Sequence, residues 1–234
     1  MPAAERDRDT AWVTSPDLPW HDPAQTSEPE SAPGSATADG ETLVLLADGG
    51  EAVIRPLRAD DRAIVEALFA AASPADLYTR FFAVGRRAVA RHVDHLFDRQ
   101  AGTMSFLLER QDVLLGLSDT ELLDPLHAEV AFLVAGEARG LGVATLLLEH
   151  AAECAADRGV TTLVASVLPV NHAMLEVFRD AGLGAQVRFE QEGVSVSMST
   201  QQTAVSTAAR DARRRHAERR RLERSTRGGP TSAP

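Results

Sequence analysis

The residues with the plainest chemical meaning are Arg139-Gly140-Leu141-Gly142-Val143-Ala144, set between an apolar strand-like run (129–134) and a long helical run (about 141–158). The first N–H groups of a helix have no internal partner, and the helix dipole favours negative charge beside them. Gly140, Gly142 and Ala144 let a diphosphate approach the backbone, and Arg139 adds a cation next to it. Two phosphate-binding motifs fail here. A P-loop needs Gly-Lys-Ser/Thr, and the chain has no lysine. A dinucleotide fingerprint needs a third glycine where Thr145 stands, and an acid closing the next strand, which ends in Leu168-Pro169. The pattern [Gln/Arg]-x-x-Gly-x-[Gly/Ala] is met at Arg139, Gly142 and Ala144.

Other reactive side chains read more plainly. Glu129 lies within AEVAFLV, where alternation puts it on one face with Ala131 and Leu133, opposite Val130, Phe132 and Val134. It is either a functional acid or a strand-end acid, solvated or paired to an arginine. His92 and His95, with Asp94 and Asp98, lack the i, i+4 histidine pair of a helical zinc site, so a solvated helix face and no metal are expected. Cys154 sits at an apolar helical position and reads as a buried, inert thiol. His150 reads as a helix-surface residue, and Asn171 as a helix N-cap.

The elements that position these groups occupy about 41–200. Two short apolar runs, 42–46 and 51–57, flank Asp48-Gly49-Gly50, a hairpin signal. Helical spacing follows at 59–71, from Ser73 through Phe81, and at 88–97; strand-like runs at 104–109, 113–117 and 129–134 come next. The long helix is stopped by Gly159. A β-branched strand (160–167), a helix (171–181) closed by Gly182, and a second hairpin (186–190 and 194–198) finish a mixed α/β layered domain.

The flanks differ in composition. Residues 1–40 carry eight acids against two arginines and six of the twelve prolines, and read as a disordered acidic tail containing Trp12 and Trp20. Residues 201–234 hold nine arginines against three acids. They form helix well but lack an apolar stripe, so a helical or disordered solvated tail is expected. With a net charge of −10, the whole chain is not expected to bind nucleic acid. A single cysteine, no apolar leader and no long apolar run point to a cytoplasmic protein without a membrane partner.

The loop in this setting resembles the coenzyme A diphosphate loop of the GNAT acyltransferases. The stretches AEVAFLV (128–134), TLLLEH (145–150) and VLPVNHAMLEVFRDA (167–181) resemble the bacterial protein-lysine acetyltransferase branch found fused to NDP-forming acyl-CoA synthetases. So do the hairpin LADGGEAVIRPL (46–57) and SPADLYTRFF (73–82), and the likeness covers about 45–200. It implies the GNAT fold: a mixed, mostly antiparallel sheet flanked by helices.

The resemblance also implies direct transfer of acetyl from acetyl-CoA to an amine, here a protein lysine, with Glu129 as general base. It implies cofactor contacts from Leu133 and Val134 backbone N–H groups, from Arg139, Gly140, Leu141, Gly142, Val143, Ala144 and Thr145, and from Asn171 and Phe178. A lysine amine with pKa near ~10.4 makes the neutral nucleophile cost about 4.6 kcal/mol at pH 7, which a base meets. The branch's usual tyrosine acid is replaced by Phe178. A leaving thiol with pKa near ~8.5 costs only about 2 kcal/mol as thiolate, so that loss is the smaller one. Leu141 and Leu183 also depart from the branch, at a cationic and an aromatic position. A catalytically weak acetyl-CoA-binding sensor module and a small-molecule amine acetyltransferase remain the alternatives.

Overall fold

The computed structural model describes residues 40–81, 86–98, 102–189 and 193–227, the side chains of 86 and 224–227 excepted. The acidic tail expected over 1–40, with both tryptophans, lies almost wholly outside these residues, as does the chain end after 227.

An eight-stranded sheet forms the middle layer, in spatial order β1-β2-β3-β4-β5-β6-β8-β7. The hairpin β1 (Thr42–Leu45) and β2 (Glu51–Pro56) turns at Gly49, whose φ of +79° suits glycine. Three helices follow: α1 (Arg62–Ala71), α2 (Pro74–Phe81) and α3 (Arg86–Phe97). Ser73 and Asp76 cap α2, the Ser73 hydroxyl accepting from the Asp76 N–H at 3.1 Å. The meander β3 (Thr103–Arg110), β4 (Val113–Leu122) and β5 (His127–Val134) leads through a 3-10 turn at Gly136–Ala138 into α4 (Val143–Ala156). Then come β6 (Thr162–Val167), α5 (His172–Asp180), the hairpin β7 (Gln186–Phe189) and β8 (Val194–Ser199), and α6 (Ala204–Arg227). The expected element order holds throughout.

Among the described residues every strand pair is antiparallel except β5–β6, which is parallel. Helices cover both faces. On one face α4 puts Val143 and Leu147 against Gly116 of β4, so closely that a Cβ on Gly116 would lie 2.7 Å from Val143. On the other, α2 sends Arg80 to Asp119 of β4. The core is aliphatic, with Leu107, Leu108, Leu147, Leu148 and Leu163 fully buried.

Two expectations change. The run read as ending at Leu117 continues to Leu122, because Ser118 and Thr120 stay on the covered face and are fully buried. The arginine-rich segment, read as solvated, instead docks. Ala217 is buried, Arg210 and Arg213 bond to Glu153 and Glu149 of α4, and Arg221 pairs with Glu51 at 2.7 Å. Alanine and arginine do the packing that an apolar stripe would do elsewhere.

Candidate functional site

The parallel pairing of β5 with β6 is short. β5 and β6 share only His127, Ala128 and Glu129 with Thr162, Leu163 and Val164, while β4 pairs β5 all the way to Val134. Beyond Glu129 the two strands part. The Ala135 N–H donates to the Leu115 carbonyl, and the His127 carbonyl accepts from Leu123. With unbroken register between them, odd-numbered residues turn their backbone groups to β4 and even-numbered ones the other way. The N–H groups of Val130, Phe132 and Val134 therefore face the opening. Of the two donors expected there, Val134 is turned to it, whereas Leu133 directs its N–H toward Leu117 of β4.

The turn at the end of β5 continues this opening. Gly140 (φ +77°) and Gly142 (φ +80°) hold the left-handed conformation. A Cβ built on either meets nothing within 4 Å, so the space above them is open. Leu146 is the first residue of α4 whose N–H bonds back into the turn, to the Gly142 carbonyl. The amides of Val143, Ala144 and Thr145 thus keep the unpartnered character of a helix start. The Leu141 carbonyl accepts from the Ala47 N–H at 2.9 Å, which pins the turn to the β1–β2 hairpin. Arg139 points to Asp76 of α2 at 2.5 Å. Burial presses the Asp76 carboxyl upward, but Ser73 and Arg139 hold it below the usual carboxylate range.

Glu129 stands at the apex of the opening, the last β5 residue paired to β6. Its Oε1 accepts from the Ser166 hydroxyl of β6 at 3.1 Å. Burial pushes its pKa up; Ser166 and Arg80 oppose, and Asp119 and Glu121 add to the rise as like charges. Glu121 lies directly across from it on β4, and Asp119 two pairs further along on the same face. Asp119 accepts from Arg80 Nη2 through both oxygens, at 2.8 and 2.9 Å. His92 packs between Phe69 and Phe81, 3.4 Å from Arg80, and burial with the nearby arginine lowers its pKa to about 4. The solvated face expected for this histidine is therefore corrected: it is turned inward and neutral. His95 reaches Glu121 at 3.4 Å.

The sequence singles out Glu129 and the glycine turn as candidates; it does not point to Ser166, Asp119 and Glu121 beside Glu129, or to the inward packing of His92. The one local signal was β4 itself, where SDTE alternates buried hydroxyls with acids on the Glu129 face. Two expected cofactor residues have other occupations. Asn171 accepts from the Met174 N–H at 3.2 Å and caps α5, and Phe178 is buried against Phe132. Cys154 is pushed up to about 11 by burial, an unreactive thiol. His150, expected on the helix surface, is half-buried edge-on to Phe106, and burial lowers its pKa. Among the described residues no group of three His, Cys, Asp or Glu could hold a metal, and no helix is long and apolar enough to cross a membrane.

The profile of the acetyltransferase (GNAT) family matches residues 71–183. Among solved structures, the GNAT domain of S. lividans PAT is similar at 30% identity and a TM-score of 0.64, covering 70% of this chain and 99% of that one. Mycobacterium smegmatis RimJ in complex with CoA-disulfide aligns at 17% identity and a TM-score of 0.56, over 76% of this chain and 96% of that one. The acetyltransferase yncA of Salmonella typhimurium, with its cofactor acetyl-CoA, aligns at 18% and 0.52, over 64% and 95%. The last two share the fold.

Proposed function

This chain belongs to the GNAT acetyltransferase family, and from that premise we propose that it moves acetyl from acetyl-CoA to a primary amine, a protein lysine, with Glu129 as general base. The observation that carries the reading is the parting of β5 from β6 at Glu129, beside an open glycine turn at the start of α4. The amides of Val143, Ala144 and Thr145, with those of Gly140 and Gly142, hold the diphosphate of the carrier. The Val134 N–H, turned to the opening, donates to pantetheine or to the thioester carbonyl.

At the apex, the acceptor nitrogen attacks the thioester carbon. A C–N bond forms, the C–S bond breaks, and coenzyme A leaves as thiolate. The proton lost by the amine passes to Glu129, directly or through one water. The elevated pKa of Glu129 suits it to this task near neutral pH. The acidic group formed by Glu129, Glu121 and Asp119 favours a cationic amine at the mouth. The thiolate needs no protein acid, which accommodates Phe178 in the core.

The test is thiol release from acetyl-CoA with lysine peptides, free lysine and small amines as acceptors. Release that depends on a peptide lysine supports the reading. Release only with small amines replaces the acceptor, and acetyl-CoA binding with no release to any amine replaces the activity.

A further inference from the structure

We propose that α6 carries a second phosphate subsite, in which Arg220 and His216 hold the ribose 3′-phosphate of coenzyme A; this rests on the proposed carrier reading. Coenzyme A presents two separate anions, a diphosphate and a phosphate monoester on the ribose. Backbone amides of the α4 turn suit the first. The turn itself offers little to the second, since Leu141 is apolar and Arg139 is engaged by Asp76 at 2.5 Å.

The cations arrive from α6. This helix runs antiparallel along α4: Arg210 meets Glu153, and Arg213 meets Glu149 and donates to the Asp180 carbonyl at 2.8 Å. Its later turns therefore come to lie over the start of α4. There a cavity of about 350 Å³ is lined by Gly140 and Leu141 of the turn, Ala47 and Asp48 of the hairpin, and His216, Arg220 and Glu223 of α6. His216 and Arg220 are four residues apart and share a face of the helix.

The helix is seated along the face next to this pair. Ala217 is buried, and Arg221 pairs with Glu51 at 2.7 Å. The turn at Gly49 lies so close that a Cβ there would fall 2.3 Å from the Arg221 backbone nitrogen. Of the acids lining the cavity, Asp48 is bonded by Arg110 at 3.0 Å and by the Gly50 N–H at 2.8 Å. Glu223 meets Arg220 in an exposed pair at 3.4 Å, a contact that an arriving phosphate displaces at small cost. The charge pattern agrees. Residues 41–200 hold 23 acids against 13 arginines and repel a polyanion, whereas 201–234 hold nine arginines against three acids.

Calorimetric titration of the full chain with coenzyme A and with 3′-dephospho-coenzyme A tests this. The wild type should prefer coenzyme A by about tenfold, the size of a charged hydrogen-bonded contact. Arg220→Ala should lose that preference while keeping its affinity for the dephospho form; Arg220→Lys should restore part of it, and His216→Ala should weaken it less. Arg214→Ala, on the exposed side of α6, should behave as wild type. If coenzyme A binds and Arg220→Ala keeps the full preference, the subsite is overturned and the carrier reading stands. Equal loss of both ligands, with a lowered melting temperature, would mean that Arg220 only docks the helix, and also overturns it. If neither ligand binds the wild type, both readings fall.

Discussion

Where β5 parts from β6, the groups turned to the opening are main-chain amides; on the face beside Glu129 they are charged and polar side chains drawn from α2, α3, β4 and β6. The first region depends on backbone shape. Its critical residues, Gly140 and Gly142, contribute no side chain at all, and they lie within one short stretch. The second depends on placement. Arg80 and Asp119 are 39 residues apart, and Ser166 and Glu129 are 37 apart. A backbone site tolerates changes in its neighbours' side chains and fails when its glycines change. A charge site responds to each carboxylate, and its effects are read in pH dependence.

Substitutions that separate chemistry from carrier binding sharpen this contrast most. Glu129→Gln should lower turnover by about a hundredfold or more, the usual scale of a general base, with acetyl-CoA affinity unchanged by calorimetry. Its effect on stability has a definite sign. Burial raises the Glu129 pKa, so the stabilising contribution of the protonated form is complete below the ordinary glutamate value and is lost as pH rises from that value through the raised one of the folded protein. The glutamine variant should then melt no lower than wild type at pH 7. A fall in affinity equal to the fall in turnover would erase the distinction between the two regions.

The next largest effect is expected at Asp119. Asp119→Asn leaves Arg80 half-paired under α2, and denaturant unfolding should show a loss of about 3 kcal/mol. In the folded remainder, Glu129 loses a like charge and gains a less compensated Arg80, so the acidic limb of kcat/KM against pH should move downward. On the backbone side, Gly142→Val forces a β-branched residue into φ near +80°, at a cost of roughly 1–2 kcal/mol, and should weaken acetyl-CoA binding by about tenfold. The smallest effect is at Ser166. Ser166→Ala removes a hydrogen bond that holds the Glu129 pKa down, so the acidic limb should rise by less than about one pH unit. An acidic limb that moved the same way in the Asp119 and Ser166 variants would contradict the charge assignment.

The two regions were also unequally legible. The glycine turn could be read because strand, turn and helix are contiguous, and because apolar spacing at Leu147, Leu148, Ala151 and Ala155 marks the covered side of α4. Glu129 could be read because a carboxylate stands out in an apolar strand. Its surroundings could not, since nothing local says that Arg80 or His92 will face Asp119. β4 looked shorter than it is because Ser118 and Thr120 conceal a buried alternation behind polar residue types. α6 looked solvated because helix docking is ordinarily read from an apolar stripe, and here Ala217 and paired arginines supply the contact.

The central claim is that the amides at the β5 opening and the α4 turn hold the carrier. Amide resonances of the nitrogen-labelled full chain, followed while coenzyme A is added, test it most directly. The largest shifts should fall on Gly140, Gly142, Val143, Ala144, Thr145 and Val134, with Leu133 much less affected. If those amides stayed still while coenzyme A bound with its shifts elsewhere, the carrier would sit outside the opening and the account would be wrong.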